Sequence, residues 1–446
     1  MPRVYSARWV LPIISPPIDN GAVVIDDSTI IAVGARHDIQ TAFPHAPHED
    51  FGNAAILPGL INAHSHLELT VMRGFLEREE HDFFAWLIKL TIARMQMTDD
   101  DLFVSAACGT IEAARAGITC LGDSSSVAAQ SMRAITEVGL RAIVYQESFG
   151  PDPALAEENV GKLRTQLDAI QPLETKLVRA GVSPHAPYTV SAPQLEMISR
   201  LALDEDLPVM MHAAESEAEK QLLQDGAGPF AEGLKARGIE WRAPRVSTMR
   251  YLHDHGVLDT RPLLAHCINV EDTDPKLLKA AGAGIAHCPK SNAKLGHGYA
   301  PFASFIAHGI NVGLGSDSVA RNNVCDIFEE ARFATLFARA RGTDLSATDA
   351  LFAATFGGAH ALGLDQQVGA LREGMQADIA IVGLDGSHQE PVRDPHDALV
   401  FCSSGSDVVL TAVAGKEIYR RGQIASLDEQ NLRQQLADIS RKIDFE

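Results

Sequence analysis

The sequence lacks paired cysteines. Its 446 residues hold six, Cys108, Cys120, Cys267, Cys288, Cys325 and Cys402, and none forms a Cys-x-x-Cys pair. In apolar, strand-like surroundings a free thiol behaves as a small hydrophobe, which suits a reducing compartment. Positive charge is also short, with 38 Lys and Arg against 58 Asp and Glu and a formal charge of −20. So acidic a chain repels phosphate backbones and anionic lipid, which argues against nucleic acid or membrane as a partner. Most of that charge reads as a solvated surface. No apolar run approaches the length of a membrane span. The stretch Met1 to Ile13, despite Arg3 and Arg8, has no uninterrupted apolar core with a cleavage site behind it. The cytoplasm is the expected location. Also missing are the Gly-x-Ser-x-Gly elbow, the Gly-x-Gly-x-x-Gly fingerprint, the phosphate loop and Pro-Cys-x-x-Cys. Serine nucleophiles, dinucleotide binding and the thiolate-ligated zinc deaminase design therefore have no support. There is no internal repeat and no low-complexity segment.

What is present is an ample core, since 46% of the residues are hydrophobic. Both ends are β-rich. Ala22 to Asp26 and Thr29 to Val33 read as strands around the turn Asp26-Asp27-Ser28. Near the other end Ala377 to Val382, Val408 to Ala414 and Glu417 to Arg420 read likewise, with a turn at Gly415-Lys416. These ends predict one composite β-sandwich from residues 1–56 and 367–425. Between them eight apolar strands alternate with helical runs: Ile56 to His64, Ile118 to Asp123, Arg141 to Gln146, Leu177 to Ser183, Pro208 to His212, Pro262 to His266, Gly284 to His287, and Asn311 to Asp317. Eightfold strand-helix alternation is the pattern of a parallel (β/α)8 TIM-like barrel, and the stretch from His64 to Asp317 matches the ~250 residues such barrels take. The α/β barrel is assigned to 57–366. Thr98 and Asp99 are the capping candidates for a helix over Asp99 to Ala116. Residues 426–446 predict a final amphipathic helix, with Leu432, Leu436, Ile439 and Ile443 at helical spacing and packing on its own barrel.

Metal-competent residues gather where barrel active sites are built, at the C-terminal ends of the strands. His64 and His66, two apart on the first strand, point the same way. His212 ends the fifth strand, His266 the sixth and Asp317 the eighth. Each alone is weak; their joint placement at one end of the barrel carries the argument. Imidazoles plus one carboxylate suit zinc or iron better than magnesium or calcium. The metal ligands are therefore taken as His64, His66, His212 and Asp317, holding one divalent ion, zinc first and iron second. Such an ion lowers the pKa of its water from about 15.7 to about 7. A second metal often uses a lysine ending the fourth strand, and Leu177 to Ser183 has none.

Glu215, three residues past His212, is the expected proton shuttle between the attacking water and a ring nitrogen. Glu217 and Glu219 read as surface glutamates at a helix start. His266 is expected to orient the nucleophile and Asp317 to accept a proton from it, so the catalytic set is Glu215, His266 and Asp317. His185, in a loop stiffened by Pro184 and Pro187, is a substrate-binding candidate. His287 and His297 read as loop or pocket residues. Trp86, in Phe83-Phe84-Ala85-Trp86-Leu87, is placed either over an aromatic substrate or in the core.

Taken together these motifs resemble the amidohydrolase superfamily. Leu57 to His66 is similar to its opening motif. Ser183 to Tyr188, His212 to Glu215, Leu264 to Cys267 and Gly315 to Asp317 are similar to its later motifs, in order, and Gly369 to Asp378 to the return into its β-sandwich. The resemblance covers nearly the whole chain and lies in the chlorohydrolase and aminohydrolase branch. His66 to Leu69, Gln146 to Gly150 and Asp225 to Phe230 resemble aminodeoxyfutalosine deaminases, with S-adenosylhomocysteine and methylthioadenosine deaminases as close relatives. The resemblance implies a metal-dependent deaminase of an adenine nucleoside such as aminodeoxyfutalosine, S-adenosylhomocysteine or adenosine, and a homo-oligomer. Other readings on the same scaffold are a chlorohydrolase, a cyclic amidase, a deaminase of a guanine-, pterin- or cytosine-type ring, and a non-catalytic binding barrel. Two departures stand out. Arg321 occupies a position where relatives often have a small residue. The acidic ribose-binding residue that some adenosine-type relatives place after the tryptophan has no counterpart, and Glu68 is taken in its place.

Overall fold

The structure, a computed structural model, describes residues 1–424 and 426–443. Eight parallel strands form the barrel. Leu60–Ser65, Ile118–Ser125, Arg141–Ser148 and Val178–Pro184 pair in sequence order, and so do Met210–Ala213, Leu263–His266, Gly284–His287 and Asn311–Leu314. Parallel bridges Val182 to Val209 and Ser65 to Asp317 join the two sets at both seams and close the ring. The strands are almost wholly buried on both faces. That explains why they read as continuous apolar runs rather than as alternation.

The first barrel strand differs from its sequence reading. The run from Ile56 to His64 splits at Gly59 into Ala54–Pro58, which belongs to the terminal sheet, and Leu60–Ser65. A Cβ on Gly59 would lie 2.1 Å from the Thr119 side chain. Only glycine lets the chain pass this close to the second barrel strand as it changes sheets. The eighth strand ends at Leu314, short of Asp317, because Asp317 takes a left-handed φ of 58°.

Helices between the strands follow their sequence signals. Asp99–Arg115 starts on a capping box in which Thr98 and Asp101 each bond the other's backbone, and three aspartates fill its first turn. Ala128–Val138 buries Ala128, Ser131, Met132, Ala134, Ile135 and Val138 along one face and ends on Gly139 at φ 94°. The final helix, Glu429–Ile443, buries Leu432, Ile439 and Ile443, packs on Asp99–Arg115, and pairs Lys442 with Asp101 at 3.3 Å. The last three residues of the expected helix lie outside the described residues. No helix among the described residues is long and apolar enough to cross a membrane.

Strands from both chain ends form one nine-stranded sheet beside the barrel. Its centre is the antiparallel pairing of Ala54–Pro58 with Ile379–Gly383. Its wings curl so that Ile30 donates to the Met375 carbonyl, and Tyr5, Val23, Ile25, Ile56, Ile381 and Leu410 share one apolar cluster. The strand Arg3–Val10, like the short His48–Asp50 and Gln423–Ile424, is not singled out by sequence pattern. It is buried on both faces from Val4 to Ala7, so it lacks a period of two. A buried ion pair ties sheet to barrel. Arg141 Nε and Nη2 reach Asp378 at 2.9 and 3.1 Å, and the Ala414 N–H donates to the same carboxylate at 2.7 Å.

Candidate metal and catalytic site

The strand ends place the four expected ligands together. His66 Nε2 lies 3.2 Å from His212 Nε2. Asp317 Oδ1 lies 3.6 Å from His64 Nε2 and 3.7 Å from His66 Nε2. The ligand atoms of His64, His66 and Asp317 fall within 4.8 Å of one another, as do those of His64, His212 and His266. His64 is fully buried, yet neither of its ring nitrogens has a hydrogen-bond partner. Orphaned imidazole nitrogens are costly unless something binds them. Burial also holds His64, His66 and His212 below the ordinary imidazole pKa, in the neutral form that ligates metal. This nitrogen-rich set with one carboxylate fits a divalent ion.

Supporting contacts aim each group. His212 Nδ1 donates to the His185 carbonyl at 2.9 Å, which turns Nε2 to the centre. His266 Nδ1 meets Asn292 Oδ1 at 2.9 Å and does the same. Asp317 divides its oxygens: Oδ2 accepts from Ser291 Oγ at 2.6 Å, while Oδ1 faces the histidines. Asp123 Oδ1 accepts from Ser65 Oγ at 2.8 Å and from the Leu67 N–H at 2.9 Å, pinning the segment between and beyond the first two ligands. Such outer contacts fix ring orientation and ligand basicity. Ala214, His266 and Asp317 all have left-handed φ, 52°, 71° and 58°. Non-glycine strain of this kind persists where a site demands it, and here it re-aims side chains as the strands end.

Glu215 is fully buried beside this cluster. Tyr188 Oη donates to Oε2 at 3.2 Å, Arg321 pairs with Oε1, and His266 Nε2 and His297 Nε2 stand 3.6 and 3.9 Å from Oε1. Burial alone would raise its pKa, but the charges of Arg321, His266 and His297 bring it to about 2, so it enters as a carboxylate. Glu219 is not the surface residue its sequence context suggests. It is buried, and it accepts from the Ala214 N–H at 2.8 Å, the Glu215 N–H at 3.1 Å and Thr248 Oγ1 at 2.9 Å. It fixes the turn that carries Glu215. Its place on the inner face of helix Glu217–Asp225 is set by that helix docking on Thr248, which lies far off in sequence.

The expected substrate residues divide. His185 lines the mouth, its ring 4.6 Å from that of His212, with Nδ1 held by Thr189 Oγ1 at 2.8 Å. Trp86, on helix Phe83–Arg94, is buried against the Arg321 guanidinium with Nε1 unpartnered, and Phe83 packs on both it and His297. Glu68 is corrected. Both its oxygens are taken, by Arg94 Nε at 3.1 Å, by Ser126 Oγ at 2.7 Å, by the Val127 N–H at 3.3 Å and by Ser125 Oγ. It braces the loop after the second barrel strand. His287 turns away from the centre and stacks on Phe302.

Besides the supporting residues Tyr188, Ser291 and Asn292, Arg321 and Glu147 lie near the cluster without having been picked from the sequence as site residues. Arg321, noted there only as a departure, has its guanidinium in the pocket. Glu147, on the third strand, is buried with Oε1 unpartnered 4.0 Å from His66 Nδ1, and burial pushes its carboxyl up to about 8. Its sequence signals are its place near the end of a barrel strand and its membership of the Gln146 to Gly150 motif, neither of which marks it as a site residue.

The profile described as the amidohydrolase family matches residues 55–418. A 5-methylthioadenosine/S-adenosylhomocysteine deaminase of Nitratidesulfovibrio vulgaris is 32% identical over 437 residues, covering 95% of this chain and 93% of that protein. Among solved structures, a zinc-bound adenosine deaminase from Xanthomonas campestris has a TM-score of 0.85 at 25% identity, covering 99% of this chain and 98% of that one. The Helicobacter pylori aminofutalosine deaminase has a TM-score of 0.78 at 21% identity, covering 94% and 100%, a likeness of fold.

Proposed function

Because this chain belongs to the amidohydrolase family, we propose that it is a metal-dependent hydrolytic deaminase whose substrate is an adenine nucleoside of the aminodeoxyfutalosine, S-adenosylhomocysteine or adenosine kind. The observation that carries this is one pocket holding a four-residue donor set, His64, His66, His212 and Asp317, with the buried Glu215 carboxylate and His266 Nε2 beside it. The nucleoside is supported by the names of the relatives. Zinc is the proposed ion, on the donor chemistry and on the zinc held by the Xanthomonas protein.

When bound, the ion supplies a water acidic enough to be deprotonated at neutral pH. Glu215 takes a proton from the attacking water and delivers it to the ring nitrogen next to the amino-bearing carbon. Tyr188 on Oε2 and Arg321 on Oε1 hold that carboxylate in place for the transfer. His266, held by Asn292, presents Nε2 to the oxygen that adds to the carbon. Asp317 accepts the second proton, which leaves with the amine as ammonia. His185, Trp86 and Phe83 form the walls that seat the ring and exclude bulk water.

The test is ammonia release by metal-loaded protein from adenine nucleosides, guanine-type and pterin-type rings, cytosine and aminotriazines, with a chelated control. Release from an adenine nucleoside that the chelator abolishes is the expected result. No ammonia from any ring, with metal confirmed in the protein, refutes deamination and directs attention to carbon-halogen or amide bonds.

A further inference from the structure

Arg321 lies in the short helix Val319–Asn322, four residues past Asp317, and its side chain is buried in the site. Nη1 pairs with Glu215 Oε1 and lies 3.2 Å from Asp317 Oδ2. Since Asp317 turns Oδ1 to the histidines, the guanidinium and the metal donors use opposite oxygens and do not compete. The guanidinium carbon stands 4.7 Å from the Trp86 ring centroid and 5.3 Å from that of Phe83, so the group lies over the aromatic wall. Among the described residues, Nε and Nη2 make no hydrogen bond. Trp86 Nε1, buried in the same wall, has none either.

A guanidinium and an indole N–H are donors without acceptor capacity. The Nε and Nη2 edge of Arg321, which makes no hydrogen bond within the described residues, and the buried, unpartnered Trp86 indole N–H offer donors on one wall to an acceptor from outside the chain. An ion pair serving only to offset the charges of Glu215 and Asp317 would need Nη1 alone. We infer that Arg321 is a specificity-determining residue: lying over Trp86, it donates from Nε and Nη2 to an acceptor atom on the edge of the heterocycle. The ring is then read from two sides. Glu215 holds the nitrogen to be protonated, and Arg321 meets a second ring nitrogen or an oxo oxygen. The pocket takes rings with that acceptor and discriminates against rings without it. This inference rests on reading the pocket as a deaminase site.

The test uses the best substrate of the panel above with holoenzyme and the variants Arg321→Lys and Arg321→Met. Lysine keeps the positive charge beside Glu215 and Asp317 but not the fork; methionine removes both. Both variants are expected to retain metal; in Arg321→Lys kcat/KM falls roughly 10- to 100-fold, mostly through KM, as expected for a lost hydrogen bond to a charged group, while Arg321→Met loses kcat as well, because Glu215 loses the first of the charges that keep it ionised. Added guanidinium ion restores part of the loss in Arg321→Met, while sodium at equal ionic strength does not. Substrate analogues with a ring nitrogen other than the protonated one replaced by carbon (the 3-deaza and 7-deaza nucleosides in the adenine series) give the sharper readout. Wild type penalises one of them, and Arg321→Met penalises it no more than the parent ring. Wild type releasing ammonia while both variants match it in KM, or an unchanged penalty in Arg321→Met, overturns the inference and leaves the deaminase reading standing.

Discussion

Glu215 and Glu219 stand four residues apart and are both fully buried, yet burial acts on them differently. At Glu215 the neighbouring charges of Arg321, His266 and His297 overcome it, and the group stays ionised. Glu215→Gln removes only the proton transfer. Turnover should fall by about 10²- to 10⁴-fold with metal content unchanged, which metal analysis and ammonia release on one preparation will check. At Glu219 burial prevails and lifts the carboxyl from 4.5 to about 7. The folded state then binds more protons than the unfolded one between those values, so this group's contribution to stability falls as pH rises through that window. Glu219→Ala leaves two N–H groups and a hydroxyl unpaired, each worth about 1–3 kcal/mol when buried. Urea unfolding should show the advantage of wild type over this variant to be larger at pH 5 than at pH 8; an equal gap at both would remove Glu219 from the account. Sequence made Glu215 legible because it follows a strand-end histidine. Glu219 was misread because its burial depends on Thr248, on a helix the local pattern does not reveal.

Among the elements, the helix Asp99–Arg115 does more than cover the barrel. Gly109 lies where a Cβ would stand 2.3 Å from Thr70 Oγ1 and 3.1 Å from Leu67, on the turn that follows His66. Gly109→Ala should cost about 1–3 kcal/mol by overpacking. It should also weaken metal retention, because relief comes by shifting the turn that leads out of His66. A chelator competition assay reads this directly, and unchanged metal affinity would show that the turn yields without moving the ligand. The helix itself was legible from Thr98 and its aspartates, and the barrel strands from their apolar runs. Not legible were the places where elements meet: the break at Gly59, the bond from Asn292 to His266, and the capture of Glu68 by Arg94 and the loop Ser125 to Val127. Each depends on a partner that the closed ring brings near and that periodicity does not name.

For the whole molecule, ring closure assembles the site, since Asp317 on the eighth position pairs with Ser65 on the first. The terminal sheet holds that ring through Arg141 and Asp378, and the closing seam carries the proposed metal ligands His64, His66 and Asp317. Binding of one ion across the seam should therefore couple stability to activity. The most direct measurement is a titration of metal-stripped protein with zinc, following ammonia release from the best substrate and the thermal midpoint in the same samples. The account predicts that both rise together and break at one equivalent. Release that persists without metal, or activity that needs a second equivalent, would contradict it.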